Sequence, residues 1–351
     1  MSNASLLPLP PHPAGISWPT TDWETGEPGA HVDRAKLDLL VDHGFGSQTG
    51  PEMGETHALL VVQHGKIVAE HYRDDFTATS TFPSWSKAKS ITQALIGILV
   101  REGKIDIHAR ADVPEWEDPS DPRHAITLDQ LLRMSSGLAF REEYTDQAPS
   151  DVIEMLWGKG EKDTGAFAAS FPLEHAVGTS WSYSSGTTNI VSRCAARALG
   201  ASGPEFKEFM RRELFDPIGM ASADPKFDDA GTFIGSSFCF ATARDFAKFG
   251  TLYLRDGVWD GKRILPEGWV DYARTPTAQT PDMLEADGPY AAHWWLERGG
   301  PGSFSANGFE GQFTIVVPDC DLVMVRHGKT DATLGPNMKS WMADVVDCFR
   351  G

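Results

Sequence analysis

The sequence offers little support for oxidised thiols. Its four cysteines (Cys194, Cys239, Cys320 and Cys348) are scattered over 351 residues and form no Cys-x-x-Cys pair. Such spacing predicts buried free thiols rather than disulfides, metal ligands or a redox couple. Basic charge is also scarce. The 31 Lys and Arg are outweighed by 49 Asp and Glu, giving a formal net charge of -18. A field of that sign repels phosphate backbones and anionic lipid, so neither a nucleic acid nor a membrane is expected as a partner. No long hydrophobic run is present. The longest, Ile91 to Val100, is broken by Thr92, Gln93 and Gly97 and is too short for a bilayer. The first residues, Met1 to Ser5 followed by Pro8, Pro10, Pro11 and Pro13, lack the basic and apolar regions of a signal peptide, and a cytoplasmic location is expected.

Several catalytic signatures are missing as well. Without a Gly-x-Ser-x-Gly elbow, an α/β-hydrolase has no nucleophile turn. The 11 histidines contain no His-Glu-x-x-His, so no metal is expected, and His293 beside Trp294 and Trp295 is read as structural. No Gly-x-Gly-x-x-Gly or Walker pattern is present, and no cofactor is expected.

What remains is an ordinary globular composition, 41% apolar and 23% charged. At this length it suits one large domain or two closely packed ones. Residues 1–50 read as a surface wrap before a short helix around Asp33–Val41. Strands follow at Ala58–Gln63 and Ile67–Tyr72, joined by His64-Gly65-Lys66 as an antiparallel hairpin. A long helix is expected over Lys87–Glu102. Further helices are expected after the Thr127/Gln130 capping box, over Thr188–Leu199 with Gly200 as its stop, over Glu205–Phe215 and over Arg244–Leu254. The chain returns to strands at Ser303–Asn307, Phe313–Val317 and Leu322–His327. A last helix aligns Met338, Trp341, Val345 and Phe349.

Chemistry concentrates at the start of the long helix. Phe82 to Thr92 holds two overlapping Ser-x-x-Lys patterns, Ser84/Lys87 and Ser86/Lys89. Three residues apart on a first helical turn, hydroxyl and amine share a face. A buried lysine loses basicity and becomes a usable base near neutral pH. The bland alternative is a capping serine with a solvated lysine. A second motif, Trp181 to Gly186, places Tyr183 in a small-residue loop, where it could shuttle a proton or simply fill the core. A third, Ser303 to Gln312, reads as an edge strand offering backbone N–H groups, or as a plain hairpin.

Together these motifs resemble the class C β-lactamase-like serine hydrolases, closest to their esterase and 6-aminohexanoate-dimer hydrolase branch. The resemblance also covers Leu131–Tyr144, Ala241–Val270 and Gly308–Val325. It implies an α+β, β-lactamase/transpeptidase-like fold. In it, the N- and C-terminal strands form one antiparallel sheet with flanking helices, an all-helical lobe is inserted, and the active site lies between them. The implied division is a surface extension over 1–32 and a catalytic domain over 33–351. Within that domain, 33–110 and 285–351 form the α/β part and 111–284 the mainly helical part.

Residue by residue, the resemblance makes Ser86 the nucleophile, Lys89 and Tyr183 the base dyad, and Ser84/Lys87 a decoy. Ala306 would supply an oxyanion-hole N–H beside that of Ser86. Tyr144, Ser185, Ser305 and Gly308 would contact substrate. Two departures stand out: Ser185 replaces a common Asn, and Ser303-Phe304-Ser305 replaces a Lys-Thr-Gly. Both lower the expectation of β-lactam turnover. An ester- or amide-cleaving enzyme is therefore expected, with a β-lactamase or D-amino-acid peptidase second and a non-catalytic binding protein third. The sequence leaves room for a homodimer without specifying one.

Overall fold

The computed structural model describes residues 6–46, 50–144, 150–278 and 288–350. The strands are β1 Glu55–Gln63, β2 Lys66–Tyr72, β3 Thr81–Pro83, β4 Asp224–Pro225, β5 Cys239–Thr242, β6 Val258–Trp259, β7 Lys262–Arg263, β8 Trp295–Leu296, β9 Phe304–Gly308, β10 Gln312–Val317 and β11 Leu322–Lys329. The helices are α1 Arg34–Phe45, α2 Gly50–Met53, α3 Lys87–Arg101, α4 Leu128–Leu132, α5 Asp151–Trp157, α6 Thr164–Ala169, α7 Ser185–Leu199, α8 Gly203–Met210, α9 Ala243–Leu254, α10 Trp269–Arg274 and α11 Gly335–Asp347.

Strands from both ends of the chain form one six-stranded antiparallel sheet, ordered β2-β1-β11-β10-β9-β8. The β1–β2 turn fits its residues. His64 (φ 49°) and Gly65 (φ 76°) both take the left-handed backbone that a two-residue hairpin turn of matching twist needs. Side chains alternate across the sheet. Ala58, Leu60 and Val62 enter a core shared with α3 and the central helices, while Leu59 and Val61 face α1 and α11.

Helix α3 is buried at every position from Lys87 to Leu99, a pattern reserved for a helix enclosed on all sides. It therefore holds its first turn rigidly beneath the sheet's β9 edge. A second, small sheet ordered β3-β5-β4 fixes the approach to that turn, pairing Thr81–Pro83 with Phe240–Thr242.

Among the boundaries that shift from expectation are those of two central helices. Helix α7 begins at Ser185 rather than Thr188, because the Ser184 hydroxyl caps it by accepting from Thr187 N at 3.0 Å. Helix α8 ends at Met210, and Arg211–Phe215 continues as a π turn. Among the described residues, no helix is long and apolar enough to cross a membrane.

Candidate active site

The site is built outward from the start of α3. Trp85, two residues before it, sits at φ 43°, a left-handed conformation that costs a non-glycine residue about 1–2 kcal/mol. Surrounding structure holds it there. Ser86 then takes the N-cap position, yet its side chain makes no capping hydrogen bond. Lys89, one turn on and 1% exposed, instead donates from Nζ to Ser86 Oγ at 2.9 Å. Neither half of the bland reading survives: the serine does not cap, and the lysine is not solvated. The same Nζ reaches Ser185 Oγ at 2.9 Å and the Ser236 carbonyl at 3.1 Å. Burial lowers the Lys89 pKa to about 8, against the opposing pull of the Glu142 carboxylate.

The overlapping pair Ser84/Lys87 does different work. The Ser84 hydroxyl is fully buried, donates to the Ser237 carbonyl at 3.1 Å and accepts from Cys239 N at 2.9 Å, which ties β3 to β5. Lys87 turns toward the sheet. Its Nζ lies 3.3 Å from His327 Nε2 and 3.3 Å from the centre of the Phe246 ring. Burial pushes its pKa well below the ordinary lysine value.

The second motif meets the first. Lys89 Nζ stands 4.8 Å from the centre of the Tyr183 ring, which packs beside Trp181, Tyr290 and Trp295. Ser185 departs from its expected role. It is 1% exposed, and its hydroxyl accepts from Lys89 while donating to Glu142 Oε1 at 2.7 Å. It is an internal link, with no hydroxyl proton left for substrate.

No sequence motif singles out Glu142. Its carboxylate also accepts from Ser185 N at 2.6 Å, at the N-terminus of α7, and from Tyr144 OH at 2.7 Å. Tyr144 itself stands at the rim, half-exposed and stacked on Phe309 with ring centres 5.1 Å apart. The only available signal was a carboxylate two positions before that tyrosine.

The third motif supplies a wall. Strand β8 pairs with β9 only at Phe304 and Ser305, so among the described residues no strand pairs with the outer edge of β9 from Ala306 onward. Gly308 brings that edge in. A Cβ there would lie 2.4 Å from the Ser84 carbonyl oxygen and 3.1 Å from Trp85 Cβ, so only glycine permits this approach. Gly308 thus has a packing role independent of any substrate. The Ser305 hydroxyl, expected to meet substrate, is fully buried and donates to Asn307 Oδ1 at 2.7 Å. It faces its own strand neighbour rather than an open cleft.

Other candidates fall away on their surroundings. His293 is enclosed between the Leu132 carbonyl (2.7 Å from Nδ1) and Thr188 Oγ1 (3.0 Å from Nε2). Burial takes its pKa down to about 3, so it is a neutral structural histidine. Burial pushes the Cys194 and Cys239 thiols up to about 12, which leaves them poor nucleophiles. Among the described residues, no cluster of three or more His, Cys, Asp and Glu side chains is placed to hold a metal ion.

Comparison with known proteins bears on the family and the fold. The β-lactamase family model matches residues 52–344. A 6-aminohexanoate-dimer hydrolase of Paenarthrobacter ureafaciens is 26% identical over 320 residues, covering 82% of this chain and 75% of its own. Among solved structures, a Bacillus anthracis protein assigned provisionally as a 6-aminohexanoate-dimer hydrolase superposes with a TM-score of 0.74 at 22% identity, covering 99% of this chain and 92% of that one. A family VIII carboxylesterase superposes with a TM-score of 0.69 at 16% identity, over 93% of this chain and 98% of its own.

Proposed function

Because this chain belongs to the β-lactamase family, a family with hydrolase relatives, we infer that it cleaves neutral carboxylic esters or linear amides through an acyl-enzyme on Ser86. One observation carries the reading: a buried amine whose basicity is reduced lies 2.9 Å from a hydroxyl that caps nothing. In its neutral form, Lys89 accepts the Ser86 proton as Oγ bonds to the substrate carbonyl carbon. The backbone N–H groups of Ser86 and Ala306 receive the oxyanion. Tyr183 gives its phenol proton to the departing alcohol or amine as the C–O or C–N bond breaks and takes up the proton held by Lys89, which returns to its neutral form. Water then attacks the acyl carbon under the same base, and Ser86 regains its proton. Glu142 and Ser185 hold Lys89 in place. Four free cysteines, all buried, suit action in a reducing cytoplasm.

This mechanism has a pH signature. Activity needs Lys89 uncharged, so kcat/KM for a neutral ester should rise with pH along a limb centred near 8. The Glu142 carboxylate favours the ammonium form. Removing its charge in Glu142→Gln should lower the Lys89 pKa and move the limb to lower pH. A profile that keeps its midpoint in the variant would uncouple Glu142 from the base.

Substrate charge separates this reading from a β-lactamase. The segment Ser303-Phe304-Ser305 carries no lysine, and the Ser303 and Ser305 hydroxyls are spent on Gly300 O and Asn307. A carboxylate-bearing substrate therefore lacks a contact worth about 1.5–3 kcal/mol, roughly tenfold or more in affinity. The comparison is kcat/KM for nitrocefin against p-nitrophenyl butyrate on one preparation. The ester should be the better substrate; efficient nitrocefin turnover with poor ester hydrolysis would move the chain to the β-lactam-cleaving side of its family.

A further inference from the structure

Large apolar side chains left in water are uncommon unless something covers them. Of the six exposed among the described residues, Leu7 and Leu39 are isolated. The other four are Tyr144 (49% exposed), Ile153 (42%), Trp157 (52%) and Phe309 (43%). Three of these four stand in a single arc of rings. Trp85, peptide-bonded to Ser86, meets Phe309 edge-on with centres 5.8 Å apart, Trp157 at 6.5 Å and Phe238 at 5.7 Å. Tyr144 extends the arc by stacking on Phe309 at 5.1 Å. Ile153 lies one helical turn before Trp157 on α5. The arc begins one residue from the attacking oxygen and runs out to solvent. Its two tryptophans and two phenylalanines carry no charge, and the Tyr144 hydroxyl is already engaged by Glu142.

We propose that this arc is a subsite for a flat apolar group of the substrate, an aromatic ring carried on either the acyl or the alcohol side of the scissile bond. The inference rests on Ser86 being the reactive centre, since only that role puts a substrate beside Trp85. Tyr144, Trp157 and Phe309 each leave about half of their surface in solvent for a guest ring, and aromatic pairs are worth more than simple area burial.

The test uses ethyl acetate, ethyl phenylacetate and benzyl acetate, followed by proton release at constant pH, with each rate divided by that ester's hydroxide-catalysed rate. At least one aromatic ester should exceed ethyl acetate in kcat/KM by about tenfold or more, and which one does so places the ring on the acyl or the alcohol side. Trp157→Ala and Phe309→Ala should each reduce that ratio by about fivefold or more. Tryptophan fluorescence titration of the Ser86→Ala protein with benzyl phenylacetate, an ester it should not cleave, reads the subsite without turnover. Affinity should fall at least fivefold when Phe309→Ala is added. If esters are cleaved but neither ratio nor affinity moves, the subsite is refuted and the serine mechanism stands. If no ester is cleaved yet affinity falls with Phe309→Ala, the subsite stands and the mechanism does not. Loss of both refutes both.

Discussion

Ser86→Ala should lower kcat/KM for p-nitrophenyl butyrate by about four to six orders of magnitude, the scale on which removal of a serine nucleophile is felt. The folded protein should persist, because the Ser86 hydroxyl caps nothing and its loss opens no buried donor of the backbone. Ser84→Ala should show the reverse pattern. Its hydroxyl joins Trp85 O, Ser237 O and Cys239 N, so the variant strands a buried amide and should lose about 1–3 kcal/mol of stability. Its kcat/KM should stay within about tenfold of the parent, since the turn before Ser86 loosens without losing a reacting group. Thermal unfolding alongside initial rates separates the two. A dead Ser84 variant beside an active Ser86 variant would place the nucleophile in the other register.

The lysines should divide in the same way. Lys89→Met removes the base while keeping a chain of similar length, and kcat/KM should fall by about a thousandfold, within the range for a lost general base. Ser185 Oγ and the Ser236 carbonyl also lose a donor there, so a modest fall in stability is expected with it. Lys87→Met should leave activity within about threefold. Its amine sits away from Ser86, against Phe246 and His327, where burial disfavours its charged form. Losing the contact with His327 opposes the relief of that burial, and the net stability change should stay under about 2 kcal/mol. If Lys87→Met instead abolishes turnover and Lys89→Met does not, the base has been assigned to the wrong helix face.

What made this site legible in the sequence was local chemistry. The Ser-x-x-Lys spacing, the hairpin turn at His64-Gly65 and the capping box at Thr127/Gln130 each depend on residues within one turn of each other, and each appears as expected. The order of strands, helices and strands follows from hydrophobic pattern, whereas the single sheet joining both chain ends is implied by the family resemblance. The remainder depends on long-range contact. No periodicity ties Glu142 to Ser185, and the resemblance that points Ser185 at substrate carries no sign that its hydroxyl bridges Glu142 and Lys89. Strands β3 and β5, of three and four residues, are too short to show alternation. Helices α5 and α6, of seven and six residues, are announced only by their caps, Ser150 and Asp163. The aromatic arc brings Trp85, Trp157 and Phe309 together from three separate stretches of chain, and no one of them is unusual alone.

The central claim is that Ser86 is a nucleophile activated by its helix neighbour, and covalent labelling addresses it most directly. The protein is incubated with a fluorophosphonate at pH 8, and intact mass is followed by peptide mapping. One adduct per chain should form, on the peptide that holds Ser86, and it should be absent from Ser86→Ala and slowed by orders of magnitude in Lys89→Met. Adduct formation at Ser84, at a cysteine, or nowhere would contradict the account.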